Sequence, residues 1–67
     1  MDEERRIRED IEQFYKNVKG MKGEVVELAM KYCKDAEFYL KKGDYVTAFG
    51  CINYAHGLID ALKMEGR

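Results

Sequence analysis

The residues with the clearest capacity for chemistry lie in the C-terminal third of the chain, within an otherwise apolar stretch. Asn53, His56 and Asp60 are three and four residues apart, so a helix would place them at neighbouring positions, where His56 and Asp60 could form a hydrogen bond. Asp35, in the preceding segment, could lie near them. These four residues form the candidate polar cluster. One alternative for the function is therefore a small-ligand or catalytic site around His56 and Asp60.

The rest of the chain supplies few of the groups that such chemistry requires. The sequence contains no serine, and its single threonine, Thr47, lies at least a full helical turn from His56, so no hydroxyl nucleophile accompanies the histidine. His56, Asp60 and Cys51 do not form a three- or four-ligand set at metal-binding spacings. We therefore predict no catalytic residue, no metal and no cofactor. We interpret the cluster as structural: a carboxylate orients the half-buried imidazole of His56 or binds a tyrosine hydroxyl.

A basic side of the second segment is the basis of another alternative, weak binding to nucleic acid. Its side chains are Lys22, Lys31, Lys34 and Lys41. Lys31 and Lys41 each follow a glutamate by four residues, which neutralises much of their charge on a helix. The chain has a formal net charge of -1 and a pI near 5.8, so its overall charge does not favour nucleic acid as a partner.

Two glycine-containing breaks divide the 67 residues into three segments. The breaks lie at positions 20–23 and at Gly43-Asp44, and the chain contains no proline. Apolar residues recur every three or four positions, which is typical of amphipathic helices. In the first segment they are Ile7, Ile11, Phe14 and Val18. We predict an all-α fold, a three-helix up-and-down antiparallel bundle that forms a single domain over 1–67. Its predicted helices are at about 2–19, 24–42 and 45–64.

The second break has the composition of a tight turn between two antiparallel helices. Gly43 can adopt the left-handed conformation that ends a helix, and Asp44 can then cap the next helix by accepting a backbone hydrogen bond. These two residues form the predicted helix-hairpin turn. The hairpin places Tyr32 at the level of Ala55.

The third segment is apolar nearly all round, unlike the other two. Twelve of the eighteen residues from Tyr45 to Leu62 are apolar, and only Asp60 among them carries a formal charge at pH 7. One stripe of this helix can face the bundle core, which leaves a second apolar stripe to be covered. This candidate interface consists of Cys51, Tyr54, Leu58 and Ala61. We predict a non-enzymatic protein that self-associates as a dimer or binds another protein.

Two glycines lie within the same predicted helix. Gly50 and Gly57 are seven residues apart, and glycine inside a helix is up to about 1 kcal/mol less favourable than alanine. Something should compensate for this cost. We therefore expect another backbone or a bulky side chain to come close to both glycines.

The chain has none of the sequence features of a secreted or membrane protein. Its first six residues are highly charged and precede no apolar run, so they do not resemble a signal peptide. The third segment is long enough to cross a bilayer, but Asn53, His56 and Asp60 would make insertion costly. Cys33 and Cys51 are too few for a disulfide scaffold. We predict a cytoplasmic protein without a membrane partner, in which both cysteines pack as small apolar residues.

The second and third segments share a set of spaced residues with a known family. The positions are Tyr32, Asp35, Ala36, Tyr39, Leu40, Gly43, Asp44, Ala48, Tyr54, Ala55, Gly57, Leu58, Asp60 and Ala61. This pattern resembles an archaeal family of small helical proteins, domain-of-unknown-function family 357. The resemblance implies a three-helix up-and-down bundle. It implies no activity, because none is assigned to the family.

Overall fold

The computed structural model describes residues 2–65, which form three helices. They are α1 (Asp2–Asn17), α2 (Glu24–Lys41) and α3 (Tyr45–Glu65). The helices pack side by side in a body of 38 × 18 × 17 Å, and no strand occurs within 2–65. The predicted all-α three-helix bundle is therefore confirmed. The outermost residues of the predicted domain, at positions 1, 66 and 67, lie outside the described residues.

The first helix ends two residues before its predicted end. The Val18 amide still donates to the carbonyl of Phe14, four residues earlier, at 3.1 Å. The Met21 amide donates to the carbonyl of Val18, only three residues earlier, at 2.9 Å, which is the spacing of a turn. Gly20, within this turn, has a φ of 83°, a conformation that L side chains rarely adopt. The chain therefore reverses through a glycine turn before α2 begins.

The connection between α2 and α3 is a Schellman turn centred on Gly43. Gly43 has a φ of 82°, and its amide donates to the carbonyl of Leu40 at 3.0 Å. The Asp44 amide donates to the carbonyl of Tyr39 at 2.9 Å, and the Asp44 carboxylate accepts from the Thr47 amide at 3.2 Å. Both predicted roles in the helix-hairpin turn are confirmed.

Replacing Gly43 with alanine should lower the free energy of unfolding by about 1 kcal/mol, because an L side chain in the left-handed region is strained. No atom lies within 4 Å of the position that the new methyl would occupy, so the cost is conformational. Urea unfolding followed by circular dichroism measures the change. Gly50→Ala is the matched control: it adds the same methyl to a helical backbone and should raise stability by about 0.8–1.0 kcal/mol at low protein concentration. Equal effects of the two substitutions would contradict the assignment of the turn.

All three helices contribute to one small hydrophobic core. The α1 residues in it are Ile7 and Ile11, together with Phe14; Val18 lies in the turn that follows. The α2 residues are Val26, Ala29, Cys33 and Ala36, and the α3 residues are Ala48, Ile52, Ala55 and Ile59. Alanines at matching intervals let α2 and α3 approach closely, while the larger side chains of α1 cover the seam between them. The first-segment stripe predicted from the sequence is buried throughout.

Two long-range contacts show that α1 and α3 run in the same direction. The Tyr45 hydroxyl donates to Glu4 at 3.3 Å near the start of both helices, and His56 contacts Asp10 farther along. Tyr32 of α2 packs edge-to-face on Tyr54, with ring centroids 4.6 Å apart, so Tyr32 lies within one residue of its predicted level. The helices therefore alternate up, down and up.

Candidate functional site

His56 is half-buried between α3 and α1. Its Nε2 atom lies 2.9 Å from the backbone carbonyl oxygen of Asp10, and because a carbonyl can only accept, Nε2 carries the proton and donates. The imidazole also packs edge-to-face on Phe14, with centroids 5.7 Å apart and an interplanar angle of 86°. His56 is thus a structural residue that attaches α3 to α1. Its partner is a backbone carbonyl and not the carboxylate expected from the sequence.

The structure does not bring the candidate polar cluster together. Asn53 and Asp60 are exposed on α3, whereas the His56 ring is turned toward α1. Asp35 is half-buried on α2. Burial is the main cause that raises the pKa of the Cys51 thiol, and the negative charge of Asp35 raises it further. None of the hydrogen bonds within residues 2–65 joins two members of the cluster. The geometry therefore offers no assembled acid and base pair at this place.

Tyr15 of α1 and Cys33 of α2 influence the pKa of each other, which the sequence did not reveal. Burial raises the pKa of Cys33 to about 11, an effect that the neighbouring Tyr15 hydroxyl partly opposes and the charge of Glu37 reinforces. Burial also raises the pKa of Tyr15, with smaller contributions from Cys33 and Glu37. The thiol is therefore neutral at physiological pH, which makes it a poor nucleophile. Burial of Cys33 agrees with its predicted role as a packed residue, and Cys51 is half-buried.

The side of α3 directed away from α1 and α2 forms a continuous uncharged surface. We call it the outer face, and its residues are Val46, Gly50, Tyr54, Gly57, Ala61 and Met64. The exposed fractions of Val46 (85%) and Met64 (68%) are high for apolar side chains. Their spacing of three and four residues keeps all six on one side of the helix. An apolar helix surface is thus presented to solvent.

Gly50 and Gly57 lie at the centre of the outer face. A Cβ atom at either position would meet nothing within 4 Å, so no backbone or bulky side chain of the described chain makes the expected close approach. The reason is rotational: at about 100° per residue, both glycines lie almost opposite the core residue Ile52 on the helix circumference. Whatever comes close to these glycines must come from outside the chain described.

The predicted candidate interface is divided between two surroundings. Tyr54 and Ala61 are exposed on the outer face, while Cys51 and Leu58 are half-buried against the core. The Tyr54 ring contacts Tyr32, which covers part of the seam between α2 and α3. The exposed apolar surface is therefore centred on the two glycines, and the predicted interface lies on the neighbouring stripe of α3.

An apolar groove adjoins one end of the outer face. We call it the end groove; it lies between the start of α1 and the turn that precedes α3, and its volume is about 510 Å³. It is lined by Glu3, Arg6, Ile7, Gly43, Asp44, Tyr45, Val46 and Phe49. Apolar atoms form most of its surface, and its charged lining residues are Glu3, Arg6 and Asp44. The groove suits an apolar side chain accompanied by a charged one.

The lysines of α2 do not form an isolated basic patch. Lys31 and Lys34 line a shallow depression together with Glu27, Met30 and Asp35, so acidic and basic groups alternate along it. Within residues 2–65, no three cysteine, histidine or acidic side chains are grouped closely enough to hold a metal ion. Each of the three described helices is too short or too polar to cross a bilayer.

Comparison with known proteins places the chain in a family but assigns it no activity. No curated protein matches the sequence. A family model described as "Protein of unknown function (DUF357)" matches residues 2–67, which includes α1 as well as the segments that carried the resemblance. The chain therefore belongs to the DUF357 family of proteins of unknown function.

Proposed function

We propose that this protein is a non-enzymatic helical module that self-associates through the outer face of α3. The observation that carries the proposal is the position of Gly50 and Gly57 at the centre of an exposed helix surface. Each glycine makes the helix about 0.8–1.0 kcal/mol less stable than alanine would. Nothing within 4 Å in the described chain compensates for this cost. A helix of a second molecule packed on the glycines would do so through close backbone contact.

The electrostatics of the outer face support the same proposal. From Tyr45 to Ile59 the sequence has no formally charged residue, whereas most exposed positions of α1 are charged. A solvent-facing helix normally carries charges on its exposed side. Exposed apolar surface without charges is typical of the centre of a protein interface.

A second copy of the chain is the occupant that fits this face best. Symmetric dimers require a patch that is complementary to itself. The outer face meets this requirement because it has no net charge to repel its copy and because glycines allow two identical helices to come close. A domain of this size also buries a small fraction of its surface when folded alone, so association adds to its stability.

Gly57→Lys is the variant that tests self-association. The wild type is expected to be dimeric, and the variant should have a dissociation constant at least about tenfold higher, because the substitution places a charge at the centre of the interface. Lysine is a better helix former than glycine by about 0.7 kcal/mol, so the monomer should remain folded. Light scattering coupled to size-exclusion chromatography, over a hundredfold range of concentration, measures the mass.

The matched control for this variant is Gln13→Lys, which adds the same charge at an exposed position of α1. It should leave the wild-type dissociation constant unchanged within about twofold. A wild-type protein that is monomeric at every concentration would overturn the proposal. A Gly57→Lys protein that is as dimeric as the wild type would overturn it as well.

A further inference from the structure

We infer that the two copies pair their α3 helices antiparallel and that the end groove of each receives Asp60 and Met64 of the other. The inference rests on the self-association proposed above and assigns a binding role to the end groove. It makes Arg6 and Asp60 an ion pair between molecules. These two residues have no part in the core, and both are exposed.

The positions of the small residues lead to this register. A two-fold axis placed midway between Asn53 and Tyr54 brings residues whose numbers sum to about 107 to the same level of the two helices. Gly50 of one copy then faces Gly57 of the second copy, and the same contact is repeated across the axis. The two Gly50–Gly57 contacts lie about 5 Å on either side of the axis, and at each of them the glycines allow a close approach of the two backbones.

The same register directs the end of one α3 toward the end groove of the other copy. Met64 of the second copy lies about three residues beyond Val46, on the side of α3 that carries the groove. An unbranched, flexible side chain is suited to an irregular apolar groove. The pairing therefore covers Met64 and Val46, the two most exposed apolar residues of the outer face.

An ion pair with Arg6 is the charge interaction that favours the antiparallel direction. Asp60 of the second copy arrives at the level of Thr47, beside the groove that Arg6 lines together with Glu3 and Asp44. Within one molecule Asp10 is level with His56. Arg6 lies one helical turn before Asp10, and Asp60 lies one helical turn after His56 in the opposite direction. Arg6 and Asp60 are therefore about 12 Å apart along the bundle axis. A parallel pair would instead bring the two Asp60 side chains to one level and leave the groove empty.

Charge reversal at Arg6 and Asp60 tests the inference. Arg6→Glu and Asp60→Lys should each raise the dimer dissociation constant by about tenfold, because two symmetry-related ion pairs become repulsive. An equimolar mixture of the two variants should dimerise with an affinity within about threefold of the wild type. In that heterodimer both contacts again join opposite charges. Sedimentation equilibrium measures the affinities, and circular dichroism verifies that each variant is folded.

The double variant Arg6→Glu/Asp60→Lys should also recover wild-type affinity. A mixture that dimerises as weakly as its components, while the wild type is dimeric, would overturn the antiparallel pairing and leave self-association standing. Single variants with unchanged affinity would overturn it too. A wild type that remains monomeric would overturn both the pairing and the proposed function.

Discussion

Replacing Phe14 with alanine is expected to remove about 3–5 kcal/mol of unfolding free energy and leave the chain largely unfolded at 25 °C. Phe14 is 0% exposed and is the largest fully buried side chain. Its ring packs edge-to-face on His56 and on Tyr15. Phe14 therefore connects the core side of α1 to His56, the residue that attaches α3 to α1. A core of this size has few other large side chains to fill the resulting cavity.

Urea unfolding at one fixed protein concentration measures this loss, since association would otherwise shift the apparent stability. Phe38→Ala is the matched control. Phe38 is 52% exposed and contacts only Tyr39 and the Lys42 ammonium among the aromatic and cationic groups described, so its loss should cost about 1 kcal/mol or less. Similar losses for the two variants would show that α1 is not held by Phe14.

The protein should lose about 2 kcal/mol of stability between pH 9 and pH 11 through the buried thiol of Cys33. The pKa of this thiol is about 11 in the folded protein because burial disfavours the thiolate, whereas an unfolded chain has the ordinary value of about 8.5–9. Stability is therefore complete below the unfolded pKa. It falls as the pH rises toward the folded value, because only the unfolded state releases the proton.

Cys33→Ala isolates this contribution. The variant should be less stable at neutral pH, by about 1 kcal/mol for the lost packing, but its stability should fall less steeply between pH 9 and pH 11. The pKa of Tyr15 is also raised, chiefly by burial, so part of the alkaline loss should remain above pH 10. Parallel curves of unfolding free energy against pH for wild type and variant would contradict the assignment. Chemical denaturation at each pH provides the curves.

The proposed self-association would give a physical reason for the composition of α3. A solvent-exposed helix would be more stable with alanine or lysine in place of Gly50 and Gly57. In the proposed dimer a second backbone would use the space that the two glycines leave, which no atom of the described chain approaches within 4 Å of a Cβ built there. Stability of the monomer and affinity of the dimer are therefore expected to respond in opposite directions to substitutions at these two positions.

Several features of the fold could be predicted from the sequence because their causes are local. The spacing of Ile7, Ile11 and Phe14 specifies which side of α1 is buried, whatever that side packs against. Gly43 and Asp44 carry the conformational freedom and the capping oxygen that end one helix and begin the next. Helix number, turn position and the α1 core stripe all follow from interactions between residues a few positions apart.

The candidate sites depended on how each helix is rotated against its neighbours, which only the tertiary structure decided. His56 could have faced Asp60 or α1, since the two directions differ by a fraction of a turn, and packing against Phe14 selected α1. The same rotation places Gly50 and Gly57 opposite the core, where no part of the described chain approaches them. Sequence spacing specifies the angles between residues on one helix. The orientation of that helix in the bundle follows from the fit of side chains that lie far apart in the sequence.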